Sequence, residues 1–204
     1  MDEREAAESP HDHLRRTDLA PLVERHGPVE LTVADDIFER TVVSIVNQLI
    51  STEAARTIRG RLFERFEVTP AAMLDADEAA LRDVGLSPQK VEYVKNVARW
   101  FEREDVTRER FEGMADEAVV AELTDIRGVG DWTAKMFLCF CLGREDVFPV
   151  EDLAVRRAMT DVFGDETRAA MRERAAAWRP YRTYAALYLW NHHVEDSGVD
   201  GPVA

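Results

Sequence analysis

Apolar residues along this chain recur three and four positions apart, the period of an amphipathic helix, and almost nowhere alternate as in a strand. Asp36 to Asn47 carries Ile37, Val42, Ile45 and Val46 at that spacing, and Thr52 to Phe66 carries Ala55, Ile58, Leu62 and Phe66. His13 to Arg25 reads as a short helix ahead of them. Thr69-Pro70 opens another, because proline fits a first helical turn. Asp77 to Val84 follows and stops at Gly85. Ser87-Pro88 gives a cap and then a first-turn proline, and the helix it opens turns Val91, Val94, Val97 and Phe101 inward. Asp116 and Asp131 read as caps of two helices flanking Gly128 to Gly130, the second ending at Gly143. Asp152 opens a helix to Phe163, and Glu166 to Trp178 and Tyr181 to Val194 complete the set across Pro180. Leu31-Thr32-Val33 is the one strand-like scrap. The pattern predicts an all-α fold of about ten helices.

With 204 residues, 46% of them hydrophobic, the chain makes one domain or two lobes sharing a core. No run is long and apolar enough to span a membrane, so the expected location is cytoplasmic, with the nucleoid. Met1 to His13 reads as a disordered acidic tail without a signal peptide, and residues 195–204 as a second flexible tail, leaving 14–194 as the folded body. Cys139 and Cys141 point to different sides of a helix, so they neither pair nor share a metal; they read as small buried residues in a reducing cytosol. The net charge of −14 argues at first against nucleic acid. Lys90, Lys95 and Lys135 are the only lysines, beside 23 arginines and 40 acids, a balance that suits hydration in the high-salt cytoplasm of a halophile. The charge is uneven: Leu153 to His193 holds seven arginines and four acids, which fits a basic face and fits ordinary unevenness equally.

The densest chemical signal is Leu123-Thr124-Asp125-Ile126-Arg127-Gly128-Val129-Gly130-Asp131-Trp132-Thr133-Ala134, a helix end, a Gly-Val-Gly turn and a new helix. Such a hairpin, here 116–142, aims bare backbone N–H groups at one spot and lets a phosphate approach without side-chain clash. It is also a common tight turn. Asp152 follows Gly130 by twenty-two residues, where another helix begins. A carboxylate there is either an N-cap or a group that stabilises positive charge on a sugar, and spacing alone leaves the two level. Glu151 is its neighbour and competitor. His11 and His13 fall in the tail, and His192-His193 ends the last helix.

Four ordered segments carry a resemblance. Ser44-Ile45-Val46-Asn47-Gln48-Leu49-Ile50-Ser51, Gly85-Leu86-Ser87-Pro88-Gln89-Lys90-Val91-Glu92-Tyr93, the hairpin with Asp152, and Trp178-Arg179-Pro180-Tyr181-Arg182-Thr183-Tyr184-Ala185-Ala186-Leu187-Tyr188-Leu189-Trp190 together resemble the helix-hairpin-helix (HhH-GPD) DNA glycosylases. Within them the chain is similar to the alkylbase branch typified by 3-methyladenine DNA glycosylase II, over residues 14 to 194. The resemblance implies a two-lobed helical fold with a DNA cleft between the lobes. The resemblance is to the compact form, and the N-terminal β-rich domain of longer bacterial members is not expected.

The resemblance also implies roles. Gln48, Leu49 and Ser51, with Gly128, Val129 and Gly130, would bind damaged double-stranded DNA; Leu49 would be the wedge that fills the gap left by a flipped base, its other reading being a core leucine. The carbonyls of Thr124, Ile126 and Val129 would hold a monovalent cation, Na+ or K+, against a phosphate. Asp152 would be catalytic. Trp132 stands where strand-cutting relatives carry a nucleophilic lysine, which implies base release without strand cleavage. Trp132, Trp190, Met136 and Asn191 would surround the base, Met136 and Asn191 replacing tyrosines of the typical bacterial enzyme. No cofactor is expected for catalysis and no iron–sulfur cluster, since the four-cysteine motif is absent. The expected actor is a monomer that excises alkylated purines (3-methyladenine, 7-methylguanine type), with an abasic-site endonuclease downstream and no membrane partner. The alternatives are a non-catalytic DNA-binding module and a glycosylase for hypoxanthine or ethenoadenine.

Overall fold

The computed structural model describes residues 8–197, with side chains to 195. Among these residues every regular element is helical, with no strand, and no helix is long and apolar enough to cross a membrane. The chain forms two compact units, one from the segment up to Leu31 together with that from Glu145 on, the other from Thr32 to Arg144. In chain order the terminal unit contributes α1 (Pro10–Leu14) and α2 (Ala20–His26). The central unit follows with α3 (Ile37–Asn47), α4 (Thr52–Arg65), α5 (Pro70–Asp75), α6 (Glu78–Asp83), α7 (Pro88–Glu104), α8 (Asp116–Thr124) and α9 (Asp131–Phe140). The terminal unit resumes with α10 (Leu153–Phe163), α11 (Arg168–Ala175) and α12 (Arg182–Ser197).

Most helix starts in the central unit are written in the sequence. Asp36, Ser51, Thr69, Asp77 and Ser87 each accept a backbone N–H from the first turn that follows. Each such cap is worth about 1 kcal/mol. Val91, Val94, Val97 and Phe101 of α7 are buried as their spacing predicts. Phe101 meets Phe38 edge-on at 5.1 Å, and Phe111 meets Phe137 at 5.3 Å.

In the terminal unit α12 is buried on nearly every side from Thr183 to Trp190. Trp178 sits under it, fully enclosed, and its indole N–H donates to Asp18 at 2.7 Å. Arg174 joins Asp18 and Asp165 at 2.6 Å each, and Arg182 grips Asp146 at 2.6 Å. Arg174 and Arg182 are thereby paired with Asp18 and Asp146, acids that lie outside the Leu153 to His193 stretch.

Several sequence expectations change. The tail drawn to His13 stops short, because Ser9 caps α1 and Pro10 occupies its first turn. The single helix expected from His13 to Arg25 is two, interrupted where the Thr17 hydroxyl donates to the Leu14 carbonyl and restarted by Pro21. Asp116 and Asp131 are first-turn residues, and Ala115 and Gly130 hold the cap positions without a side-chain bond. Helix α9 ends at Phe140, ahead of Gly143. Leu31-Thr32-Val33 forms no strand. Helix α12 runs to Ser197, into the stretch expected as a tail; residues 1–7 and 198–204 lie outside the described residues.

Candidate functional site

The hairpin glycines have different jobs. Gly128 sits at φ 109°, and a Cβ on it would lie 2.2 Å from the Cγ of Tyr93, so its bareness is demanded by packing inside the protein. Gly130 lies at φ −101° and a Cβ on it would meet nothing within 4 Å. The open side of the hairpin is therefore at Gly130, where α9 begins without a cap side chain to accept its first-turn N–H groups. The first-turn N–H groups of a ten-residue helix lie at the positive end of its dipole, an arrangement that suits an anion. The turn is held by internal bonds, Ile126 N to Leu123 O at 3.1 Å and Val129 N to Ile126 O at 2.9 Å. The amide of Asn96 donates to the Arg127 carbonyl at 3.0 Å.

The loop between α3 and α4 presents Leu49 fully to solvent, at 104% relative exposure and φ 55°. Core packing is thereby excluded for Leu49. Ile50 beside it is 37% exposed. Gln48 differs from expectation: its amide nitrogen donates to the Gly128 carbonyl at 3.0 Å and to the Thr133 hydroxyl at 2.9 Å, so it braces the hairpin. Ser51 caps α4, accepting from Ala54 N at 3.3 Å.

Asp152, in the terminal unit, is an N-cap and is 7% exposed. Its Oδ1 accepts from Val155 N at 2.9 Å and from the indole N–H of Trp190 at 3.0 Å. These donors fix the orientation of the carboxylate in a dry environment, where a charge interacts with its neighbours more strongly than in water. Glu151 is tied instead to Arg172 at 3.5 Å.

The four residues expected around the base are divided between the units, Trp132 and Met136 on α9, Trp190 and Asn191 on α12. Trp132 is half-buried and Asn191 exposed. Met136 is 3% and Trp190 1% exposed, so neither offers a face to a ligand here. Trp190 is the holder of Asp152, because its indole N–H needs a buried acceptor and finds that carboxylate. Sequence reasoning attached no role to Lys90, Tyr93 or Asn96, all on α7, although two of them lie in the segment singled out at Gly85 to Tyr93. Their partners lie 31 to 44 residues away in sequence, or in a Cβ-sized gap, and spacing signals neither. Cys139 and Cys141 are buried and not joined in a disulfide, and burial pushes the Cys141 thiol up to about 12. Among the described residues no group of His, Cys, Asp and Glu is arranged to hold a metal ion.

The helix start at Gly130 without a cap side chain and the solvent-held Leu49 both lie in the central unit. The model of the HhH-GPD superfamily of base excision DNA repair proteins matches residues 42–182, which take in the Leu49 loop, the hairpin and Asp152, and the chain belongs to that superfamily. DNA-3-methyladenine glycosylase 1 of Schizosaccharomyces pombe is 29% identical over 184 residues, 84% of this chain and 79% of that protein. The structure of the S. pombe 3-methyladenine DNA glycosylase (Mag1) with abasic DNA superposes with a TM-score of 0.82 at 27% identity, covering 89% of this chain and 95% of that one. A DNA-3-methyladenine glycosidase from Bacillus halodurans gives a TM-score of 0.77 at 32% identity, over 94% and 92% of the two chains.

Proposed function

We propose that this chain is a monofunctional DNA glycosylase that flips alkylated purines out of duplex DNA and hydrolyses their bond to the sugar. The observation that carries the chemistry is Asp152, buried, oriented by two donors and lying within the span matched by the family. As the C1′–N bond breaks, its electron pair leaves with the base and positive charge grows on the sugar. A fixed carboxylate stabilises that charge, orients the water whose oxygen completes C1′ and accepts the proton that this water gives up before passing it to solvent. A purine methylated at N3 or N7 carries a formal positive charge, so it departs neutral and needs little help from an acid. The half-buried indole of Trp132 attracts such a base by about 0.5–2 kcal/mol. An indole has no amine with which to attack C1′, so the product is an intact strand with an abasic site, the substrate of an endonuclease acting next.

The hairpin grips the phosphate at Gly130, and Leu49 enters the vacated stack. The carbonyls of Thr124, Ile126 and Val129 would hold a monovalent cation as neutral hard oxygens, the Ile126 oxygen keeping a second lone pair beside the one that accepts from Val129 N. Bound there, Na+ or K+ would add positive charge beside the phosphate. The chain would act as a monomer on nucleoid DNA.

The test is base release from methylated duplex DNA, with strand breaks scored before and after alkali. Wild type should free 3-methyladenine and leave breaks only after alkali, while Asp152→Asn should bind DNA and release nothing. Breaks without alkali would overturn the monofunctional reading. DNA binding without release by folded wild type, across a panel that includes 7-methylguanine, hypoxanthine and ethenoadenine, would leave a binding module.

A further inference from the structure

Leu49 combines two costs. Its φ of 55° is left-handed, a strained region that L-residues rarely adopt. Its side chain lies wholly in water. A free loop would relax both, so the conformation is imposed from its flanks. On one flank α3 ends against α7, where the Lys90 ammonium, 9% exposed, donates to the Val46 carbonyl at 2.7 Å. A cation at a helix C-terminus also meets the negative end of the helix dipole. Next comes Gln48, immediately before Leu49, whose amide nitrogen is shared between the Gly128 carbonyl in the hairpin turn and the Thr133 hydroxyl in the first turn of α9. On the other flank Ser51 caps α4.

We propose that Lys90 and Gln48 are positioning residues that lock the Leu49 wedge to the hairpin, so that phosphate capture and wedge insertion are one rigid movement. The inference rests on the reading of Leu49 as a wedge. The two residues act in series: Lys90 fixes the end of α3, and Gln48 fixes the last residue before Leu49 to the element that holds the phosphate. A phosphate seated at Gly130 thereby sets where Leu49 enters the stack. The loop is ordered when the protein folds, so DNA binding does not bear that ordering cost.

A double-mutant cycle on the full chain tests this. The probe is a duplex with a tetrahydrofuran abasic analogue beside 2-aminopurine, whose fluorescence reports unstacking; single-turnover release from methylated duplex is measured in parallel. Gln48→Leu and Lys90→Met should each lower unstacking and release about tenfold, equivalent to about 1.4 kcal/mol, with affinity for undamaged duplex nearly unchanged. Lys90→Arg, which keeps a cationic donor, should restore part of the loss. In a Leu49→Ala background the same substitutions should cost nothing further. Losses that persist undiminished in that background, or that fall equally on undamaged-duplex affinity, would overturn the proposal in favour of a purely structural role. Should Lys90→Met melt below the assay temperature, Gln48→Leu carries the cycle alone. Wild-type binding without any unstacking signal overturns the proposal together with the wedge. Unstacking without base release refutes only the excision reading, and the cycle is then decided by fluorescence.

Discussion

Asp152 is 7% exposed and oriented by two hydrogen bonds, whereas Leu49 is 104% exposed and makes its point through a strained backbone held by neighbours. One belongs to the terminal unit and the other to the central unit. On the proposed reading, a charge that acts on a reacting sugar must be aimed and kept dry, so the Asp152 side chain itself carries the restraints. On the same reading a wedge must stay unencumbered to enter DNA, so the restraints sit on Gln48 and Lys90. Rigidity is built into both sites, at the functional side chain in one and next to it in the other.

The comparison breaks first at Asp152. Asp152→Asn keeps the shape and removes the charge, and should lower base release about a thousandfold with DNA affinity nearly intact, whereas Leu49→Ala should cost about tenfold in unstacking and release. Equal losses in single-turnover assays would erase the division of labour. The two glycines give the next largest effect. Gly128→Ala places a methyl against Tyr93 at positive φ and should destabilise the protein by about 3 kcal/mol. Gly130→Ala meets open space and should shift stability by less than about 0.5 kcal/mol while weakening DNA binding several-fold. Thermal melts beside binding isotherms separate the two, and a Gly130→Ala protein with full affinity would move the phosphate elsewhere.

Trp190→Phe is a smaller change, taking one donor from Asp152 and leaving Val155 N in place. It should slow release about tenfold with KM little changed. A rise in KM with kcat intact would make Trp190 a binding residue after all. The smallest effect is on stability. His26 of α2, its side chain 3% exposed and 3.1 Å from Glu195, has its pKa lowered chiefly by burial, with Arg25 and His192 adding to the shift and Glu195 opposing it. The fold therefore prefers the neutral ring. Its contribution is complete above the ordinary histidine value, about 6.5, and is lost as pH falls through the lower folded value. Melting temperature should decline over that window in wild type and less in His26→Gln.

Sequence and structure agree best where a local rule suffices. The cap at Ser87 and the helix opened at Asp152 were legible because a cap is a contact within three residues, whereas Asp116 and Asp131, read as caps, are first-turn residues. The hairpin and Asp152 were legible as a spaced pair. Gly128 was assigned to phosphate approach, and its stronger reason, Tyr93, lies thirty-five residues away. Trp190 was assigned to a pocket wall, because an aromatic at a family position carries no mark of what its N–H will meet. Gln48 was assigned to DNA through the resemblance, and its amide nitrogen is engaged by Gly128 and Thr133 within the protein.

By itself the sequence determined the helical class, the placement of most helices and the hairpin, since period, capping and turn chemistry act over a few residues. Only the tertiary structure decided which bare glycine is open, that Leu49 stands in water, and that Trp190, Gln48 and Lys90 serve other residues. Those are facts about partners far apart in the chain, and a hydrogen bond or a steric gap across thirty or more residues leaves no periodic trace.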